Sequence, residues 1–125
     1  MSEPTTSSLP ADGVGTLLGH WAHPDDEAYL SAGLMATAVQ AGHRVVVVTA
    51  TAGELGTSDP EQWPPGRLAP LRRREMTASL AALGVTEHTW LDYPDGGCAA
   101  IPDDIAIAEI ADVIAAVAPD SLVML

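Results

Sequence analysis

Four consecutive valines, Val45 to Val48 in "HRVVVVTAT", restrict the fold more than any other feature of this chain. A strand with one face in water alternates apolar and polar residues. An unbroken β-branched run needs cover on both faces, as in the interior of a parallel sheet. The rest of the chain agrees with that demand. "VGTLLGHWA" (residues 14–22) reads as a strand, and helical spacing follows at Leu30, Gly33/Leu34, Thr37/Ala38 and Ala41, with Asp25 or Asp26 placed to cap and Gly42 placed to stop the helix. After the valines comes the Gly/Pro-rich stretch 52–70, long enough for an active-site loop. The segment 71–84 reads as a helix with Leu71, Met76, Leu80 and Leu83 on one side and Gly84 at its end. "VTEHTWLDY" predicts a third strand and "PDGG" a turn. Residues 102–118 predict a helix with acids in its first turn and an apolar set at Ile107, Ile110/Ala111, Ile114 and Val117/Ala118. Pro119 ends it, and "SLVML" starts a fourth strand.

The resulting βαβαβαβ order predicts an α/β, Rossmann-like, mostly parallel sheet with helices on both faces. Its 125 residues suffice for one domain that buries roughly two-thirds of its extended surface. With no Phe, the core must rest on Ala, Val, Leu and Ile, helped by three Trp and four Met. Residues 1–13, rich in Ser, Thr and Pro, read as a flexible tail before a domain at 14–125. The alternation stops at Leu125 without the loop and helix that should follow a fourth strand, so the expectation is the N-terminal portion of a longer domain.

Charge narrows the function classes. Seventeen acids face five bases, all Arg, for a formal net charge of −12. Such a field repels phosphate backbones and anionic lipid, so no nucleic acid and no membrane is expected as partner. No apolar run is long enough to span a bilayer and the N-terminus lacks a signal-peptide pattern, which makes a cytoplasmic location the expectation. A lone cysteine, Cys98, cannot form an internal disulfide.

Chemistry gathers in "LLGHWAHPDDEAYLSAG". In an open parallel sheet, ligands bind outside the carboxyl ends of strands, and His23 to Glu27 directly follow the first strand. A neutral imidazole and a carboxylate three residues apart across a tight turn can share one zinc ion. That would make His23 and Asp26 the ligands and leave Asp25 to take a proton from the attacking water. Each residue also has a purely structural explanation: His23 as a loop histidine, Asp25 as a turn former, Asp26 as a helix cap and Glu27 as a first-turn carboxylate. A nucleotide site is disfavoured, because the first strand leads into His-Pro-Asp-Asp rather than a Gly-rich phosphate loop.

"AHPDDE" resembles the signature of the LmbE-like, or PIG-L, family of zinc-dependent de-N-acetylases acting on N-acetylglucosaminyl compounds. The likeness continues in order through "VVVVTATAGELGT", through "RRRE" with Arg72 and Glu75 followed by "LAALGV", and through "WLDYPDGG". The resemblance implies His23 and Asp26 as zinc ligands, Asp25 as general base and Glu27 as a support of the loop. It implies substrate-side or ligand-supporting roles for Arg72 and Asp95. The family's third ligand, from a "HPDH"-like segment after the fourth strand, has no counterpart here, and neither does its late assisting histidine. Of the remaining groups, His43 and His88 are expected at the far end of the sheet, and His20 at the border of the site. Asp92, Asp95 and Cys98 are the only other candidates to approach the metal loop. Two readings follow: a zinc-dependent hydrolase removing the N-acetyl group of an amino sugar, or a catalytically incomplete domain with at most weak metal or small-ligand binding.

Overall fold

The computed structural model describes residues 13–124. The tail expected over residues 1–13 therefore lies, except for Gly13, outside the described residues. Four strands, β1 (Leu17–Trp21), β2 (Val45–Thr49), β3 (Glu87–Trp90) and β4 (Ser121–Met124), form one sheet in the order β3-β2-β1-β4. Every pairing is parallel. Helices α1 (Asp26–Gln40), α2 (Pro65–Ala82) and α3 (Asp103–Val117) connect them. The chain moves outward from β1 through β2 to β3 and then returns to add β4 on the other side of β1, so the order reverses at β1. The strand whose carboxyl end carries His23 is thus the one at the reversal, where open α/β sheets bind ligands.

The valines behave as their run predicts. Val45 and Val47 point to one face, packing with Leu17, Trp21, Met35, Ala38, Met76 and Leu80 beneath α1 and α2. Val46 and Val48 point to the other, with Leu18 and the half-buried Leu91, Val113 and Val117 beneath α3. All four are buried, and each such side chain contributes about 1.5–3 kcal/mol on leaving water. Gly42 and Gly84 hold positive φ, +89° and +85°, just past the ends of α1 and α2, where a left-handed residue closes the last turn.

Three details differ from the periodicity. Helix α2 begins at Pro65, not Leu71, because Pro64 supplies an extended N-cap and Pro65 fits the first helical position, where its missing N–H costs nothing. Pro70 is accommodated inside the helix at the loss of one backbone bond. In α1 the sheet-facing stripe is Glu27, Ser31, Met35 and Ala38, while Leu30 is exposed. In α3 the packed side chains are Val113 and Val117, whereas Ile107 and Ile114 are exposed together with Leu122 and Met124 of β4. Spacing at three and four residues permits neighbouring stripes on a helix rich in Ala and Ile, and contact with the sheet selects between them.

At the amino ends of the strands, the Arg44 guanidinium grips Glu87 with two bonds of 2.8 and 2.7 Å and holds its carboxyl below the ordinary range. His43 lies at that same end, before β2. His88 does not accompany it. Its ring lies over the sheet face that Thr49 shares, with Nε2 2.9 Å from the buried Thr49 hydroxyl and the ring against Trp90 at 4.5 Å. Burial, with the nearby Arg73 charge, lowers its pKa from 6.5 to about 4. The folded state therefore binds fewer protons than the unfolded chain between those values, and stability falls as pH drops from 6.5 toward 4. Replacing His88 by Gln is expected to flatten this part of the stability-versus-pH curve by on the order of 1–2 kcal/mol, allowing for solvent screening of a partly buried ring. Urea titrations at pH 7 and pH 4.5 measure it; an unchanged slope in the variant would reject the assignment.

Candidate metal and substrate site

The site is built on backbone pairing that continues past the strand ends. Beyond Trp21, the Ala50 N–H donates to the Trp21 carbonyl at 2.8 Å and the Thr51 N–H to the Ala22 carbonyl at 3.0 Å. The Thr51 hydroxyl also donates to Ala22. Beyond Trp90, the Leu91 and Tyr93 N–H groups donate to Thr49 and Ala50, both at 2.9 Å. The loops after β1, β2 and β3 are thus held in register with one another.

From Ala22 the chain turns sharply. Pro24 is buried, and Asp25 takes a left-handed conformation at φ 82°, sparsely populated for a residue with a Cβ though more open to Asp than to most. Asp25 occupies the N-cap position of α1 without making a side-chain cap bond. Its carboxylate, 59% exposed, faces Arg72 Nη2 at 3.3 Å. Asp26 does not cap the helix either, since its Oδ2 accepts from the His23 backbone N–H at 3.1 Å. The explanation of Asp26 as a helix cap is therefore not met, whereas Asp25 does form the turn.

His23 and Asp26 converge, with Nδ1 3.7 Å from Oδ2. Ligand atoms each about 2.0–2.1 Å from a tetrahedral zinc stand roughly 3.3 Å apart, so a small adjustment would let both reach one ion. The donor set is an imidazole nitrogen and a carboxylate oxygen, suitable for zinc but short of the three protein ligands a catalytic site uses. Among the described residues no group of three or more His, Cys, Asp or Glu side chains forms a metal cluster.

Glu27 lies behind this turn, 1% exposed, with Oε2 accepting the Ala28 N–H at 3.1 Å and Oε1 without a partner. Burial pushes its carboxyl above the ordinary value, and the Asp25 charge adds to the effect. Its side chain bonds nothing in the loop beyond the N–H of its own neighbour. Arg72 spans two loops: Nη1 donates to the Gly53 carbonyl at 2.8 Å, and Nη2 to the Pro24 carbonyl at 3.2 Å and to Asp25. Gly53 holds φ +64°, and a Cβ there would collide with the Arg72 Nη1. Asp95 stands on the far side of His23, its Oδ1 3.2 Å from Nε2.

The other candidates are engaged elsewhere. Asp92 pairs with Arg73 at 2.8 Å, Cys98 is exposed on a short 3-10 turn (Cys98–Ala100), and Glu75 is exposed on α2. The His20 Nε2 is buried without a partner, and burial lowers its pKa. Glu54 belongs to the family-like motif after β2, but the sequence assigned it no role at the site. Its Oε2 accepts the Asp95 N–H at 2.9 Å, and it lines an open groove of about 360 Å³ with Arg73, Asp92, Tyr93 and Pro94. Tyr93 bonds Glu109 of α3 at 2.6 Å, which pushes its hydroxyl pKa up to about 12.

Comparison with known proteins gives the family and the fold. The family model for PIG-L, GlcNAc-PI de-N-acetylase, matches residues 20–125. A 1D-myo-inositol 2-acetamido-2-deoxy-alpha-D-glucopyranoside deacetylase of Mycobacterium sp. strain KMS is 37% identical over 131 aligned positions, covering 91% of this chain and 42% of its own length. Its namesake from Kineococcus radiotolerans is 44% identical over 78 residues, 60% of this chain and 22% of the relative. This chain therefore spans less than half the length of these relatives. Among solved structures, the N,N'-diacetylchitobiose deacetylase of Pyrococcus horikoshii, complexed with an inhibitor, superposes with a TM-score of 0.81 at 28% identity, covering 90% of this chain and 41% of that one. The 4-carboxy-2-hydroxymuconate hydratase GalB of Pseudomonas putida superposes at 0.74 with 25% identity, covering 86% and 45%. A hydratase on the same scaffold means that the fold alone does not choose the reaction. With the match running from the end of β1 onward through the His23–Glu27 loop and all three helices, the chain belongs to the PIG-L, or LmbE-like, family.

Proposed function

We propose that these residues form the first half of the active site of a zinc-dependent amide hydrolase, one that removes the acetyl group from an N-acetylated amino sugar. By themselves they make a weak metal-binding domain that is catalytically incomplete. The observation that carries this reading is the convergence of His23 Nδ1 and Asp26 Oδ2 beside an exposed Asp25, without a third ligand in reach among the described residues. The deacetylases in the family and among the structural neighbours support the reaction class and the amino-sugar substrate. Zinc, when bound, supplies Lewis acidity that polarises a carbonyl and acidifies water. Asp25, oriented by Arg72, is the base that accepts the proton of the attacking water. The groove lined by Glu54, Arg73, Asp92 and Tyr93 offers polar side chains suited to a hydroxylated small molecule.

No described helix is long and apolar enough to cross a membrane. The test is release of free amine from N-acetylglucosaminyl-inositol and from N,N'-diacetylchitobiose by the 125-residue chain with zinc added. The expected result is turnover no faster than that of an Asp25→Asn variant. Zinc-dependent turnover lost on Asp25→Asn would instead establish a complete enzyme and overturn the incomplete-site reading.

A further inference from the structure

The imidazole of His23 stands between two carboxylates of unequal character. On the Nδ1 side, Asp26 Oδ2 is 3.7 Å away, too far for a hydrogen bond. On the Nε2 side, Asp95 Oδ1 is 3.2 Å away, within hydrogen-bonding distance. Asp95 is also the more firmly held. Its side chain is 11% exposed, and its other oxygen, Oδ2, accepts the Leu55 N–H at 2.9 Å. Its own N–H donates to Glu54 at 2.9 Å, and Tyr93, two residues earlier, is tied to Ala50 of the β2 loop. One oxygen is thus spent on anchoring and the other is aimed at the histidine.

A carboxylate can only accept, so the nitrogen facing it must carry the proton. A neutral imidazole protonated on Nε2 has its lone pair on Nδ1. Only the nitrogen with the lone pair can bind a metal, and Nδ1 is the one turned toward Asp26. We infer that Asp95 is a positioning residue that fixes the His23 tautomer and ring orientation, leaving Nδ1 rather than Nε2 as the zinc ligand. This rests on the reading of His23 and Asp26 as metal ligands, and it gives Asp95 a defined task in place of a general supporting role. Carboxylate partners of metal-bound histidines commonly act in this way, and their loss costs about 10–100-fold in metal affinity.

Asn at position 95 separates orientation from mere structure. Its amide oxygen can keep the anchor to the Leu55 N–H, which leaves the NH₂ group facing His23. That reversed dipole favours a lone pair on Nε2 and a proton on Nδ1, the wrong tautomer for the proposed site.

The experiment uses the 125-residue chain labelled with ¹⁵N-histidine and long-range ¹H–¹⁵N correlation spectra, without and with zinc. In the zinc-free chain His23 is expected as the Nε2–H tautomer, and on zinc addition Nδ1 should take the metal-induced shift while Nε2 stays protonated. Asp95→Asn should convert the zinc-free ring to Nδ1–H and weaken zinc binding about 10–100-fold in a competition titration. A zinc-free Nδ1–H ring in the unaltered chain, or a metal shift on Nε2, overturns the proposal; the latter leaves the metal reading standing. A His23 ring that responds to zinc at neither nitrogen overturns this assignment together with the metal reading. The unaltered chain alone decides the tautomer, so the test does not depend on the variant folding.

Discussion

Asp26→Ala is expected to lower the affinity of this chain for zinc by more than about 100-fold, beyond the range seen when only a ligand's supporting partner is lost. Two facts set the size. Among the described residues only His23 and Asp26 converge on the proposed ion, so losing one leaves a single protein ligand. The Asp26 carboxylate also accepts the His23 N–H, so its removal loosens the turn that aims the imidazole. Cobalt(II) absorption or zinc competition measures the effect. His23→Ala should act alike, and a double variant should be little worse than either single one, because one remaining ligand already contributes little. Unchanged affinity in Asp26→Ala would reject it as a ligand.

Arg72→Ala is expected to destabilise the fold by about 2–4 kcal/mol, since hydrogen bonds to a charged group contribute about 1.5–3 kcal/mol each and two backbone carbonyls lose their partner at once. Its guanidinium, 18% exposed, joins the Gly53 and Pro24 carbonyls and so pins the β1 loop to the β2 loop. The contact with Asp25 adds little to stability, because that carboxylate is largely exposed. For a domain of this size the loss corresponds to a fall in Tm on the order of 10 °C. Arg72→Lys should recover less than half, because an ammonium lacks the planar fork that reaches two carbonyls and a carboxylate together. A thermal melt in which Arg72→Ala loses less than about 0.5 kcal/mol would show that the loops are held by other means. Asp25 provides a second readout: once released from Arg72, it should leave its left-handed conformation, visible in its backbone chemical shifts.

Much of the architecture was legible because it depends on local pattern. Val45–Val48 announce a strand covered on both faces, and the structure places two valines in each of two cores. Gly42 and Gly84 mark helix ends because a left-handed residue is needed there. The placement of His23 to Glu27 at a strand's carboxyl end follows from the order of elements, and the structure puts it at the order reversal. Other features were misread because several solutions satisfy the same pattern. Pro70 looked like a boundary, yet Pro65 is the residue that starts α2. Val117 belongs to the stripe the spacing predicts and is packed, but Ile107 and Ile114 of that stripe are exposed, and only the sheet beneath α3 brought Val113 in. His88 was placed by its position near the start of β3, but the direction of its side chain takes the ring to Thr49.

The sequence by itself determined the class of fold, the place of the acidic loop and the family, because strand burial, helix stops and the order of motifs are written in contiguous residues. The tertiary structure decided which group each acid meets. Asp25 meets Arg72 across 47 positions, and His23 meets Asp95 because parallel pairing aligns the loops after β1, β2 and β3. The physical reason is register: periodicity tells which face of an element is buried, whereas the meeting of two side chains from separate loops depends on how adjacent strands are aligned and how far each extends beyond the sheet.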